Sequence, residues 1–229
     1  MKELEGKLHK NNMGILDKVG IQNIEIIDCG EKLEVLSASE FVLSPMYYRW
    51  GFSDTEVIKL RSGLIEKLRS AKKSLKPGWN FKIWDGYRTL YTQNLLYEDY
   101  WNRLKKENPE WSDAELKKAV EIFVSFPSKD PSLPAPHNTG AAVDLTLVDE
   151  NGKDIQMGTD FDEFNLRSYT DHFADTETVF HQSRMLLKKV LEDLGFVNYH
   201  EEWWHFSYGD QEWARQNGLH QAVYGSMKL

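Results

Sequence analysis

The stretch Ala141-Ala142-Val143-Asp144-Leu145-Thr146-Leu147-Val148 decides how this chain folds. Its side chains alternate in character with the period of a β-strand. Val143, Leu145 and Leu147 fall on one face, and Ala142, Asp144 and Thr146 on the other. Asp149-Glu150-Asn151-Gly152 follows and has hairpin-turn chemistry. Asp144 is the anomaly. Aspartate is depleted in strands and is almost never fully buried without a partner. Either an arginine or a metal ion must compensate its charge. Gly140, Ala141 and Ala142 leave room beside it for a ligand or for close backbone approach.

Working outward, Asn80–Asp85 (NFKIWD) alternates and reads as a second strand, followed by Gly86. Arg88 opens a helix over about 89–106. Ser112 and Glu115 form a capping box that starts another, running to about Phe123. An earlier helix is expected over 54–74, capped by Asp54, with Val57, Leu60, Leu64, Ile65 and Leu68 at helical spacing and Pro77-Gly78 as its stop. The proline-rich segment 126–136 reads as an ordered loop that delivers the chain to His137. Residues 176–194 read as a helix whose inner stripe is Val179, Ser183, Leu186, Leu187, Val190, Leu191 and Leu194, stopped by Gly195. A last strand is expected around Phe206, and residues 1–40 read as a short helix and some strand at Ile21, Ile24, Ile26 and Ile27. Helices and hairpin strands mix without strict βαβ alternation. The expected fold is α+β, a single domain over 1–229 with a largely antiparallel central sheet flanked by helices and the site on the sheet. Residues 1–50 are its less diagnostic N-terminal extension.

The chain has 229 residues and a net charge of -8. An acidic chain with no basic run disfavours nucleic acid and anionic membrane surfaces as partners. No stretch approaches the roughly 18 apolar residues of a membrane span. The N-terminus carries charges throughout and no apolar h-region, and Cys29 is the lone cysteine. These features lead us to expect a cytoplasmic protein.

His200-Glu201-Glu202-Trp203-Trp204-His205-Phe206 is the second unusual segment. The zincin motif does not fit it, because its histidines are five apart. On a helix that spacing places them about 140° apart around the axis, against about 40° for four apart. A strand puts positions i and i+3 on opposite faces. Glu202 must therefore lie on a bend or bulge ahead of a strand carrying His205 if both serve one site. Taken alone, the segment also fits a solvated Glu202 and a hydrogen-bonded core His205. Combined, His137, Asp144 and His205 supply two nitrogens and one oxygen, the three-ligand pattern of a catalytic zinc with a position left for water. Iron also suits such a set. Glu202 would then be the general base for that water. Arg88 lies where a helix begins, a poor place for a cation by dipole logic. It therefore needs a specific role, and stabilising an oxyanion is one.

Four segments carry a family resemblance: IWDGYR (83–88), HNTGAAVDLTL (137–147), MGTDFDEF (157–164) and EEWWHF (201–206). In them the chain resembles the zinc D-alanyl-D-alanine dipeptidases, the group that includes the vancomycin-resistance dipeptidases. The resemblance implies one zinc per chain held by His137, Asp144 and His205. It implies Glu202 as general base, Arg88 as the stabiliser of the tetrahedral intermediate, and Asp162 as the carboxylate that receives the substrate's free ammonium. It implies hydrolysis of D-Ala-D-Ala to two D-alanines. Ala135 stands where the family motif often has serine, and Asp160 is an unexpected acid. Tyr47 and Tyr48 are alternatives for a family tyrosine that helps bind the ammonium. Three other functions stay open here: a D,D-carboxypeptidase acting on peptidoglycan stem peptides, a dipeptidase for another small dipeptide, and a non-catalytic zinc-bearing peptide-binding domain.

Overall fold

The structure is a computed structural model that describes residues 20–176 and 179–227. In chain order its elements are β1 (Glu25–Ile26), β2 (Leu33–Val35), β3 (Val42–Leu43), α1 (Met46–Arg49), β4 (Lys59–Arg61), α2 (Ser62–Lys72), β5 (Asn80–Asp85), α3 (Leu90–Glu107), α4 (Asp113–Phe123), β6 (Ala142–Val148), α5 (Val179–Glu192), β7 (Val197–Asn198), β8 (His205–Ser207), α6 (Gln211–Gln216) and β9 (Gln221–Ala222). The fold is α+β, as expected. Whatever helix or strand residues 1–19 were expected to form lies outside the described residues.

The central sheet runs β3-β5-β6-β8-β7. Only the β3–β5 pair is parallel; β5–β6, β6–β8 and β7–β8 are antiparallel. Strand β6 sits in the middle and is buried along its whole length. Val143, Leu145 and Leu147 join Phe81, Ile83, Leu187, Leu191 and Phe206 in one core on the expected face. The Asp144 face is also covered, which the alternation did not reveal. The hairpin turn forms as read, with Asp149 N donating to Lys153 O at 2.9 Å.

Two expectations are corrected. The helix expected over 54–74 begins only at Ser62, and Asp54 does not cap it. Residues Lys59–Arg61 are instead strand β4, paired antiparallel with β2. Leu60 is fully buried while Val57 is 43% exposed, so the apolar spacing that mimics a helix spans two elements. Likewise Val179 is 58% exposed and does not belong to the inner stripe of α5. The capping box at Ser112 and Glu115 is present. Helix α3 starts at Leu90, two residues after Arg88, with Thr89 as its cap, whose side chain accepts from Thr92 N. No helix among the described residues is long and apolar enough to cross a membrane.

Candidate active site

The register places Asp144 opposite Asp85 on β5 and opposite His205 on β8. Directly opposed residues share a face, so three polar side chains line up across three neighbouring strands. A register shift between Ile83 and Asp85 makes this alignment. His137 reaches the same point from the 3₁₀ turn Pro136–Thr139 that leads into β6. That turn closes at Gly140 with φ 72°, and a Cβ there would lie 2.4 Å from Leu33 Cδ2. The left-handed φ is what requires the glycine, and the flexible end of Leu33 packs against it.

The three donor groups converge. His137 Nε2 lies 3.1 Å from His205 Nδ1 and 3.3 Å from Asp144 Oδ2. His205 Nδ1 lies 3.0 Å from Asp144 Oδ1. Tetrahedral zinc with bonds of about 2.0–2.1 Å separates its ligand atoms by about 3.3 Å. The observed spacings match that edge. His137 Nδ1 donates to Gly86 O at 2.7 Å, which leaves Nε2 as a lone pair. Two basic nitrogens and a carboxylate aimed at one point call for a cation between them. Burial favours a neutral His205 ring, the form that ligates. Burial also works to raise the Asp144 carboxyl, but His137 and His205 hold it below the ordinary carboxylate range, so it stays ionised. His137, Asp144 and His205 therefore fit a divalent metal.

Arg88 is buried beside this set. Its Nη2 is 2.8 Å from Asp85 Oδ2 and 3.7 Å from Asp144 Oδ2, and its Nη1 donates to Gln93 Oε1 at 2.9 Å. Its guanidinium lies over the Tyr47 ring at 4.5 Å. Burial works against its charge, but the surrounding acids keep it protonated. Asp85, Gln93 and Asn138, which donates to Arg88 O at 2.7 Å, hold this arginine and were not singled out in the sequence. For Asp85 the signal was available: an acid ending a strand three residues before an arginine.

Glu202 lies in the turn just ahead of β8, the bend its spacing from His205 demanded. Its Oε2 is 3.8 Å from His205 Nδ1. Asn198 holds that turn by donating to Glu202 O at 3.1 Å and to His205 O at 2.9 Å.

Asp162 enters the same cleft from the segment 157–164. It has φ 58°, the one non-glycine residue with positive φ among the described residues. Such strain persists only where surrounding packing over-determines it. Phe161 supplies that packing, stacked 4.7 Å from Trp84 and 5.8 Å from Trp50. Trp203 Nε1 donates to Thr159 Oγ1 at 2.7 Å, tying this segment to the Glu202 turn. Burial, and then the negative charge of Asp144, push the Asp162 carboxyl up to about 7. Tyr47 is buried and lines the cleft with Asp162, while Tyr48 is 44% exposed, so Tyr47 is the tyrosine in the site. Asp160 is exposed, with its backbone N–H bonded to Glu163. Ala135 is buried and lines the cleft, whose volume is about 630 Å³.

Residues 55–223 match the D-ala-D-ala dipeptidase family of peptidases. The chain belongs to this family of metallopeptidases. A D-alanyl-D-alanine dipeptidase from Synechocystis is 30% identical over 218 residues, covering 84% of this chain and 88% of that protein. One from Escherichia coli is 39% identical over 129 residues, covering 56% of this chain and 55% of its own length. A solved zinc-complexed vancomycin-resistance D,D-pentapeptidase is similar at a TM-score of 0.47 and 17% identity, covering 86% of this chain and 91% of that one.

Proposed function

We propose that this peptidase hydrolyses D-Ala-D-Ala to two D-alanines with one zinc held by His137, Asp144 and His205. The observation that carries the reading is the convergence of these three donors beside Glu202 and Arg88 at the floor of one cleft. Zinc bound there would supply Lewis-acid polarisation of the scissile carbonyl and would lower the pKa of water.

The chain's own residues do the rest. Glu202 is the general base: its carboxylate takes a proton from the attacking water and returns it to the departing amine nitrogen as the C–N bond breaks. Arg88, charged and fixed by Asp85 and Gln93, offers N–H donors to the oxygen that becomes negative in the tetrahedral state. Asp162 and Tyr47 receive the substrate's ammonium. A raised carboxyl with no cation bonded to it among the described residues is a poised acceptor for such a group, because the incoming charge draws it to the ionised form. This contact selects a free N-terminus and favours a dipeptidase over a carboxypeptidase. Cys29, the lone cysteine, suits a reducing compartment, which supports a cytoplasmic place for the reaction.

The size of the cleft favours a second substrate range. Volumes of about 300–1,000 Å³ suit drug-sized ligands, so 630 Å³ leaves space for dipeptides bulkier than two alanines. The test offers D-Ala-D-Ala, its N-acetyl derivative and larger D,D-dipeptides to the purified protein and measures amino-acid release. Release from the free dipeptide and not from the acetylated one supports the reading. Equal cleavage of the acetylated form contradicts the role of Asp162. No release from any free dipeptide contradicts the activity.

A further inference from the structure

The two histidines of the donor set are held in different ways. His137 is fixed by a main-chain carbonyl, Gly86 O, which accepts from its Nδ1. His205 uses the opposite nitrogen in the site: its Nδ1 faces Asp144 and His137. For Nδ1 to offer a lone pair, the ring proton must sit on Nε2. What meets Nε2 therefore sets the tautomer and the ring's tilt.

That group is the Ser207 hydroxyl, with Oγ 3.4 Å from Nε2. Two residues along strand β8, Ser207 projects on the same face as His205. Behind it is Asp210. One oxygen of this carboxyl, Oδ1, caps α6 by accepting from Trp213 N at 2.8 Å. The other, Oδ2, is buried and has no close hydrogen-bond partner. The Ser207 side chain lies near this carboxyl and acts to lower it. His205, Ser207 and Asp210 are all buried, so water does not readily substitute for any of them.

We propose that Ser207 and Asp210 are positioning residues that set the orientation and tautomer of His205 through a directed chain of hydrogen bonds. The direction at His205 follows from the ligating tautomer. Nε2–H donates to Ser207 Oγ, so the Ser207 proton must point away from His205. Asp210 Oδ2, unpaired in the structure, is the acceptor proposed for it when that carboxyl, pushed up by burial, is ionised. The chain supplies a partner for the buried carboxylate oxygen that the helix cap leaves unused. Outer partners of this kind typically raise the metal affinity of a ligating histidine about 10- to 100-fold. The inference rests on the metal-centre reading of His137, Asp144 and His205.

The test measures zinc affinity by competition with a chelator, for wild type, Ser207→Ala, Ser207→Thr and Asp210→Asn. Asparagine keeps the helix cap but turns a donor toward Ser207. We expect Ser207→Ala and Asp210→Asn each to weaken zinc binding about 10- to 100-fold, and Ser207→Thr to stay near wild type. The double variant Ser207→Ala/Asp210→Asn should be no weaker than either single one, since both cut the same chain. Cobalt-substituted Ser207→Ala should show shifted visible bands, while its metal-free melting temperature matches wild type. Unchanged zinc affinity and cobalt bands in both single variants would overturn the proposal. If Asp210→Asn fails to fold, the Ser207 pair decides alone. A folded wild type that binds no zinc would overturn the metal-centre reading and this inference together. A wild type that binds zinc tightly, with unchanged variants, overturns this inference only.

Discussion

Glu202 Oε2 stands 3.8 Å from His205 Nδ1, although the two residues are three apart on a chain about to enter a strand. The turn held by Asn198 makes this possible by swinging Glu202 back over the face that His205 presents. Glu202 thus stands beside the donor set but outside it, and in the proposed mechanism this keeps proton transfer apart from metal binding.

Glu202→Gln should therefore lower turnover about 10²- to 10⁴-fold, the usual share of general acid–base catalysis. Zinc content should stay at one per chain. Parallel measurement of kcat and bound metal checks both halves. Loss of the metal would reassign Glu202 as a ligand.

Arg88→Ala should lower kcat about 10²- to 10³-fold, as for other oxyanion donors. KM should change little, because the charge that Arg88 meets develops only in the transition state. Lysine should not restore the rate, since it lacks the fork that spans Asp85 and Gln93. Steady-state kinetics of both variants decide the point.

Asp162→Asn should raise KM about 10- to 100-fold, the equivalent of one charge-assisted hydrogen bond worth about 1.5–3 kcal/mol. The variant should also discriminate less between free and N-acetylated dipeptide. An unchanged KM would remove Asp162 from the substrate site.

Much of this site was legible from residue type and spacing. Asp144 stood out because a strand centre is a costly place for a lone carboxylate, and the structure shows why it is tolerated: Arg88, His137 and His205 surround it. The five-residue histidine spacing ruled out the helical zincin motif, and the three-residue spacing of Glu202 and His205 required a bend if both serve one site. Asp162 was visible only through family resemblance, because its singularity is a left-handed backbone angle beside the stacked Phe161, which no residue pattern announces. Asn198 acts through main-chain carbonyls across a turn, which no residue pattern encodes, whereas Asp85 stands three residues before the Arg88 it holds. Strand β4 was hidden because Leu60 and Leu64 keep helical spacing across a strand–helix junction, and pairing with β2 outweighs that pattern.

Acid stability should depend on the cluster at Arg61, away from the donor set. Arg61 is buried, and its Nη2 lies 2.7 Å from Asp28 Oδ2. It also donates to Thr139 O at 2.8 Å, beside the turn that carries His137. Burial works to raise Asp28, but the backbone N–H groups of Gly225 and Gly30 and the Arg61 side chain hold it below its ordinary value. Burial opposes Glu31 likewise, and Tyr224, Ser62, Gly63 and Arg61 lower it. A carboxylate with a depressed folded pKa stabilises the fold above its unfolded pKa, about 3.9 for Asp and 4.3 for Glu. That stability is lost as pH falls through the folded values. Thermal melts should therefore be level with respect to these groups above about pH 5 and fall below about pH 4. Asp28→Asn should flatten the acid limb while lowering stability at neutral pH. An acid limb identical to wild type would contradict this assignment.

The most direct test of the central claim is D-alanine release from D-Ala-D-Ala by the purified protein, before and after chelation and again after zinc is restored. The account predicts activity that the chelator removes and stoichiometric zinc returns. Full activity in protein shown to be free of metal would contradict it, as would inactivity of folded protein carrying one zinc.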